Sequence, residues 1–201
     1  NLLGWGRNTL TRKIKEFEDS NLTSIVKRPW WVSRVLWTTL QRIGKFKLLN
    51  IVLFEPEIPQ NTGNIIRLGA NTGATLHLIE PLGFQLEDKR MRRAGLDYHE
   101  YADLSLYDSW RHFKGKSANH RLFGLSTKGS KPYSSIDFQP TDFVIFGPET
   151  RGLPNAVRDD IGQENIFRIP MLPGSRSLNL SNAVAVIIYH AWHQHRFPGG
   201  N

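Results

Sequence analysis

The 201-residue chain contains no cysteine. Disulfides, thiolate zinc sites and cysteine nucleophiles are therefore excluded, and a reducing compartment is the natural setting. No run of 18 or more apolar residues occurs, so no sequence stretch reads as a membrane-spanning helix. Without a recognisable signal peptide, a cytoplasmic location is the default expectation. The usual nucleotide fingerprints are missing too. No G-x-G-x-x-G follows the first apolar run and no G-x-x-x-x-G-K-[ST] occurs, which argues against a dinucleotide enzyme or a P-loop NTPase. Gly124–Gly129 (GLSTKG) is not a nucleophile elbow, because Lys128 stands where a second glycine is needed.

Positive charge is present but unevenly spread. The net charge is +8, yet residues 1–47 hold ten Lys/Arg against three Asp/Glu, and the remainder is close to neutral. The first 47 residues also carry four of the six tryptophans, Trp5, Trp30, Trp31 and Trp37, and only scraps of helical periodicity. They are expected to form a basic, Trp-rich appendage, disordered or non-essential. An RNA-binding arm with aromatics for stacking is the alternative.

From Leu48 the pattern becomes regular. Leu48–Phe54, Thr75–Ile79, Arg121–Ser126, Asp142–Phe146 and Ile166–Ile169 read as strands. Asn61–Asn71, Tyr107–Phe113 and Ser181–Trp192 read as helices, the last apolar almost all round, as a buried helix would be. Strands alternating with helices predict an α/β domain over residues 48–201 with a mostly parallel sheet.

Three segments stand out, each placed after a strand. Asn61-Thr62-Gly63-Asn64-Ile65-Ile66-Arg67 opens a helix at a strand's carboxyl end, where open α/β sheets place ligands. Phe146-Gly147-Pro148-Glu149-Thr150-Arg151-Gly152-Leu153-Pro154 has glycines that permit close backbone approach to a ligand. Arg168-Ile169-Pro170-Met171 leads through Ser177-Leu178-Asn179-Leu180-Ser181-Asn182 into a helix whose first turn is rich in capping residues. Alone, each is ordinary turn chemistry. His190, His193 and His195 share the end of the last helix but have no nearby carboxylate, so a partly exposed helix end is favoured over a metal site.

Together these segments resemble the three motifs of the SpoU/SPOUT RNA methyltransferases, and the run Asp88-Lys89-Arg90-Met91-Arg92-Arg93-Ala94-Gly95-Leu96-Asp97-Tyr98-His99 resembles their TrmL (YibK) branch. The resemblance covers residues 48–199. It implies a SPOUT fold, with the C-terminal helix drawn through a loop into a deep trefoil knot. It implies transfer of the methyl group of S-adenosylmethionine to the ribose 2′-hydroxyl of the tRNA wobble nucleotide, position 34 (cytidine or modified uridine), by a homodimer with no metal. Matching positions place the cofactor against Leu125, Ser126, Gly147, Ile169, Met171, Ser177 and Leu178, with Arg67 and Tyr189 as catalytic residues. A guanidinium with a pKa above about 12 suits an orienting role better than that of a proton acceptor. Arg90, Arg93, Lys128 and Arg151 are candidate RNA phosphate contacts. The rival readings are a 2′-O-methyltransferase for another tRNA or rRNA position, and a knotted RNA-binding protein without catalysis. Intact Arg67, Glu149, Ser177 and Asn182 speak against the second.

Overall fold

The computed structural model describes residues 47–86 and 104–200. Its centre is a seven-stranded sheet in the order β3-β2-β1-β6-β4-β7-β5. The strands are β1 (Asn50–Phe54), β2 (Thr75–Ile79), β3 (Leu104–Tyr107), β4 (Leu122–Leu125), β5 (Lys131–Pro132), β6 (Phe143–Phe146) and β7 (Ile166–Arg168). Every strand pairing is parallel.

Helices cover both faces, which explains why the central strands read as unbroken apolar runs. Successive side chains of a strand point to opposite faces. In β1, Ile51 and Leu53 enter one core with Ile65 and Ile66 of α1 (Pro59–Thr72) and Val184, Ile187 and Ile188 of α4 (Leu180–Gln194). Val52 and Phe54 enter the opposite core with Phe113 of α2 (Trp110–Ser117) and Val157 and Ile161 of α3 (Asn155–Ile161). Helix α4 follows β7 in the chain yet packs on α1, so the chain must return from near one sheet edge to its middle. Leu48 and Leu49 are fully buried, and the Leu48 N–H donates to the Gly73 carbonyl at 2.8 Å.

Two expectations need correction, and β3 and α3 leave no clear signal in the sequence. Tyr107 lies in β3, and the helix expected at Tyr107–Phe113 begins at Trp110, after the Ser109 side chain accepts the His112 N–H at 3.2 Å. Strand β3 escaped notice because it is a half-exposed edge strand without a continuous apolar run. Helix α3 was hidden by its seven-residue length and by the Gly/Pro-rich segment before it. Helix α4 is not buried all round: Val186 is 37% exposed and Tyr189 48%.

A polar network runs across the sheet from the amino ends of β4, β6 and β1 to the middle of β2 and the last residue of β3. The Asp142 carboxylate is fully buried, paired with Arg121 through two bonds of 2.7 and 2.6 Å, and accepts the Gln139 N–H at 2.7 Å. Asn50 donates from Nδ2 to the Asp142 carbonyl at 3.2 Å, which leaves Oδ1 as the acceptor facing His77 Nε2 at 3.1 Å. His77 must therefore carry its proton on Nε2, and its Nδ1 accepts from the Tyr107 hydroxyl at 3.1 Å. Burial is the first cause, and the charge of Lys47 the second, that lowers the His77 pKa to about 4.

Candidate functional site

The order of the sheet gathers the three sequence segments at one edge. Its middle strands, β1 and β6, send their chains to opposite sides, and ligands of open α/β sheets bind outside the carboxyl ends at such a point. The β1–α1 loop and the β6–α3 loop meet there. The segment leading into α4 joins them.

Glu149 is the hub. Helix α1 has no side-chain cap of its own at Ile58. Instead the Glu149 carboxylate, some ninety residues away in the chain, accepts the Glu57 N–H at 2.8 Å and the Ile58 N–H at 3.3 Å. A carboxylate suits this place, because the N-terminus of a helix presents unpaired N–H groups and partial positive charge. It also accepts from Asn61 Nδ2 at 2.9 Å, and Asn61 Oδ1 in turn accepts from Asn179 Nδ2 at 2.9 Å. Asn179 caps α4: its Oδ1 accepts the Ser181 N–H at 2.9 Å and the Asn182 N–H at 3.4 Å. One chain of hydrogen bonds thus ties all three segments together. The amides that open the Asn61–Arg67 segment are engaged within their own turn, the Asn61 and Thr62 N–H groups donating to the Ile58 carbonyl at 3.1 and 3.4 Å.

The residues matched to the cofactor site follow strands that are neighbours in the sheet, in the order β6-β4-β7. Leu125 ends β4 and is buried, and the Ser126 N–H donates to the Phe167 carbonyl at 2.9 Å. Gly147 follows β6 in a turn so tight that a Cβ there would collide with the backbone of Gly152 and Leu153. Ile169 packs partly against the core just after β7. Met171 and Leu178 are 38% and 43% exposed, and Ser177 is exposed between them. Here apolar side chains face solvent beside a polar loop.

Arg67 is exposed on α1, about 12 Å along the helix from Pro59. Tyr189 is exposed on α4, its ring centroid 5.7 Å from that of Trp192, so it is not part of the core. Both project from the α1/α4 layer. Lys128 is exposed in the β4–β5 loop. Arg151, also exposed, already pairs with Glu55 at 2.7 Å and Glu57 at 3.5 Å, which offsets its charge. Arg90 and Arg93 lie outside the described residues, as does the whole run Asp88–His99.

At the far end of α4, the His190 ring meets Tyr133 edge-on at 5.0 Å and its Nε2 lies 3.1 Å from Gln194 Nε2. Desolvation lowers the pKa of both His190 and His195. Among the described residues, no group of three or more His, Asp or Glu side chains could hold a metal ion, and no helix is long and apolar enough to cross a membrane. Sequence reading gave Asn61, Asn179, Glu55, Glu57 and Thr150 no individual role. Only Asn179, two residues before a serine at a helix start, carried a local signal, that of an N-cap.

Residues 48–189 match the model of the SpoU rRNA methylase family. A tRNA (cytidine(34)-2′-O)-methyltransferase from Methylovorus glucosotrophus is 57% identical over 152 residues, covering 76% of this chain and 99% of that protein. The Escherichia coli K12 protein of the same name is 56% identical over 152 residues, covering 76% and 97%. A solved structure concerned with the 2-OH methylation of C/U34 on tRNA superposes with a TM-score of 0.68 at 44% identity, covering 73% of this chain and 95% of that one. The methyltransferase AviRb from Streptomyces viridochromogenes, in complex with AdoMet, gives 0.65 at 25% identity, covering 75% and 58%.

Proposed function

The chain belongs to the SpoU methylase family, and from that premise we propose that it methylates the ribose 2′-hydroxyl of the wobble nucleotide, position 34, of tRNA. The carrying observation is the match to tRNA (cytidine(34)-2′-O)-methyltransferases over nearly their whole length at more than half identity. Such a match covers the site as well as the fold, so the inference does not rest on architecture alone.

S-adenosylmethionine supplies an electrophilic methyl on a positively charged sulfur, which needs no metal to be transferred. Leu125, Ile169, Met171 and Leu178 would frame its adenosine, with Ser126, Gly147 and Ser177 offering polar groups. The ribose hydroxyl is a weak nucleophile and must be held in line and helped to lose its proton. Arg67 is assigned the orientation of that hydroxyl and the adjacent phosphate, and Tyr189 a place beside the reacting ribose. Lys128, with Arg90 and Arg93, contacts phosphates, which contributes affinity rather than choice of nucleotide. A second copy of the chain covers the α4 face that exposes Val186 and Tyr189, and RNA lies across both copies. The segment between β7 and α4 closes a trefoil knot. In support, α4 lies against α1, away from the strand it follows. Residues 1–47 are an appendage that catalysis does not require.

The test is to map the methylated nucleotide by mass spectrometry of tRNA incubated with purified protein and S-adenosylmethionine. A 2′-O-methyl group at position 34 is expected. Methylation at another position would move the protein to the rival reading, and no methylation despite cofactor binding would make it an RNA-binding protein only.

A further inference from the structure

The loop that carries Gly147 is held from its other end by residues that none of the three motifs includes. The Glu57 carboxylate accepts both the Thr150 N–H at 3.1 Å and the Thr150 hydroxyl at 2.7 Å, through the same oxygen. Its second oxygen lies 3.5 Å from Arg151 Nε, and Arg151 Nη2 reaches Glu55 at 2.7 Å. In the opposite sense, the Glu57 N–H donates to Glu149. The β1–α1 and β6–α3 loops therefore clamp each other reciprocally, each giving a carboxylate and receiving an N–H.

The clamp has a rigid base. Glu55 holds a left-handed backbone, φ 48°, which costs a non-glycine residue strain and persists only when its surroundings enforce it. The Gly83 N–H donates to the Pro56 carbonyl at 2.9 Å, and a Cβ on Gly83 would lie 2.8 Å from Glu57 Cα. The backbone of Glu57 is thus wedged between Gly83 on one side and Glu149 on the other. Its carboxylate is presented to Thr150 from a fixed point. The loop it holds has a left-handed residue of its own, Gly152 at φ 66°, and turns back on Pro148 through a 2.9 Å hydrogen bond.

We propose that Glu57 is a positioning residue for the methyl donor, acting through Thr150 to hold the Gly147–Leu153 loop where the cofactor needs it. This rests on the functional reading above, in which Gly147 borders the cofactor. The Glu57 side chain is 28% exposed and Thr150 is exposed, so the clamp adds little to global stability. Its effect should appear in cofactor binding instead.

The experiment compares full-chain wild type with Glu57→Ala, Glu57→Gln, Thr150→Val and the double variant Glu57→Ala/Thr150→Val. It measures KM for S-adenosylmethionine, KM for tRNA, kcat and melting temperature. Wild type is first checked for S-adenosylmethionine binding by calorimetry; no binding there removes the functional reading itself, independently of the clamp. Glu57→Ala should raise the cofactor KM about 10-fold, with tRNA KM changed by less than about 2-fold. Thr150→Val, which keeps the N–H donor, should raise it about 3-fold, and the double variant should be no worse than Glu57→Ala, because both remove one interaction. Gln can still accept both bonds, so Glu57→Gln should restore the cofactor KM to within about 2-fold of wild type. An unchanged cofactor KM in Glu57→Ala, no rescue by Gln, or equal losses in both KM values accompanied by a lower melting temperature would overturn the proposal.

Discussion

The two ends of the parallel sheet carry polar networks of similar size and opposite character. From the amino ends of β4, β6 and β1, Arg121, Asp142 and Asn50 lead through His77 in the middle of β2 to Tyr107, a run in which Asp142 is fully buried and His77 is 7% exposed. At the carboxyl ends, Glu149, Asn61, Asn179, Glu57 and Thr150 link three loops and reach solvent at several points. Both networks hold loop residues, and the second also joins the starts of two helices, α1 and α4. Binding residues are commonly carried on loops that a rigid scaffold positions. The difference predicts a division of labour: substitutions or conditions that disturb the amino end should change stability, and those at the carboxyl end or the α1/α4 layer should change turnover or binding.

The sharpest test lies on the functional side. Arg67→Ala should leave S-adenosylmethionine affinity nearly unchanged and reduce kcat by about 100-fold or more, the scale of a lost positioning or proton-transfer group. Single-turnover kinetics beside calorimetry would check this. If turnover stays within a few-fold, Arg67 is not the centre of the chemistry and Tyr189 takes its place.

The amino end should respond to acid. His77 is held neutral in the fold with its pKa lowered to about 4, whereas the unfolded chain protonates it near 6.5. Its contribution is therefore complete above pH 6.5 and is lost as the pH falls from 6.5 towards 4, because only the unfolded state takes up the proton in that window. The loss amounts to about 2 kcal/mol at pH 5 relative to pH 8. Denaturant titrations at the two pH values should show it in wild type. In His77→Gln this part of the pH dependence should disappear while the KM for S-adenosylmethionine stays the same. A variant that loses cofactor binding instead would erase the contrast between the two ends.

The smallest effect should come from Arg151. Its charge is already engaged by Glu55 and Glu57, so Arg151→Ala should leave the salt dependence of tRNA binding within about 0.3 log units of slope of wild type. A free phosphate contact would contribute about 0.7–0.9. A full unit of change would mean that Arg151 leaves the carboxylates for RNA, and would move it from the clamp to the RNA surface.

Legibility in the sequence followed burial. Strands β1, β2 and β6 are buried along almost their whole length, so each was visible as an apolar run, with β2 matching residue for residue. Strand β3 lies at an edge with no residue fully buried, and helix α3 is two turns long, so neither left a periodic trace. Tyr189 follows Val184, Ile187 and Ile188 on one apolar helix, yet those three are buried and Tyr189 is exposed. Glu57 lies between two prolines, and no local spacing ties it to Thr150, 93 residues away.

By itself the sequence determined the alternation of strand and helix, the apolar faces, and the presence of three polar segments after strands. These are local quantities, set by side-chain periodicity and by capping within a turn or two. Only the tertiary structure decided which of those segments touch. Asn61 meets Glu149 across 88 residues and Asn179 across 118, and both contacts depend on β1 lying beside β6 while α4 returns to α1. Strand order comes from packing the whole chain around one sheet, and no local spacing encodes it. The clamp, the capping of α1 by Glu149 and the exposure of Tyr189 all follow from that order.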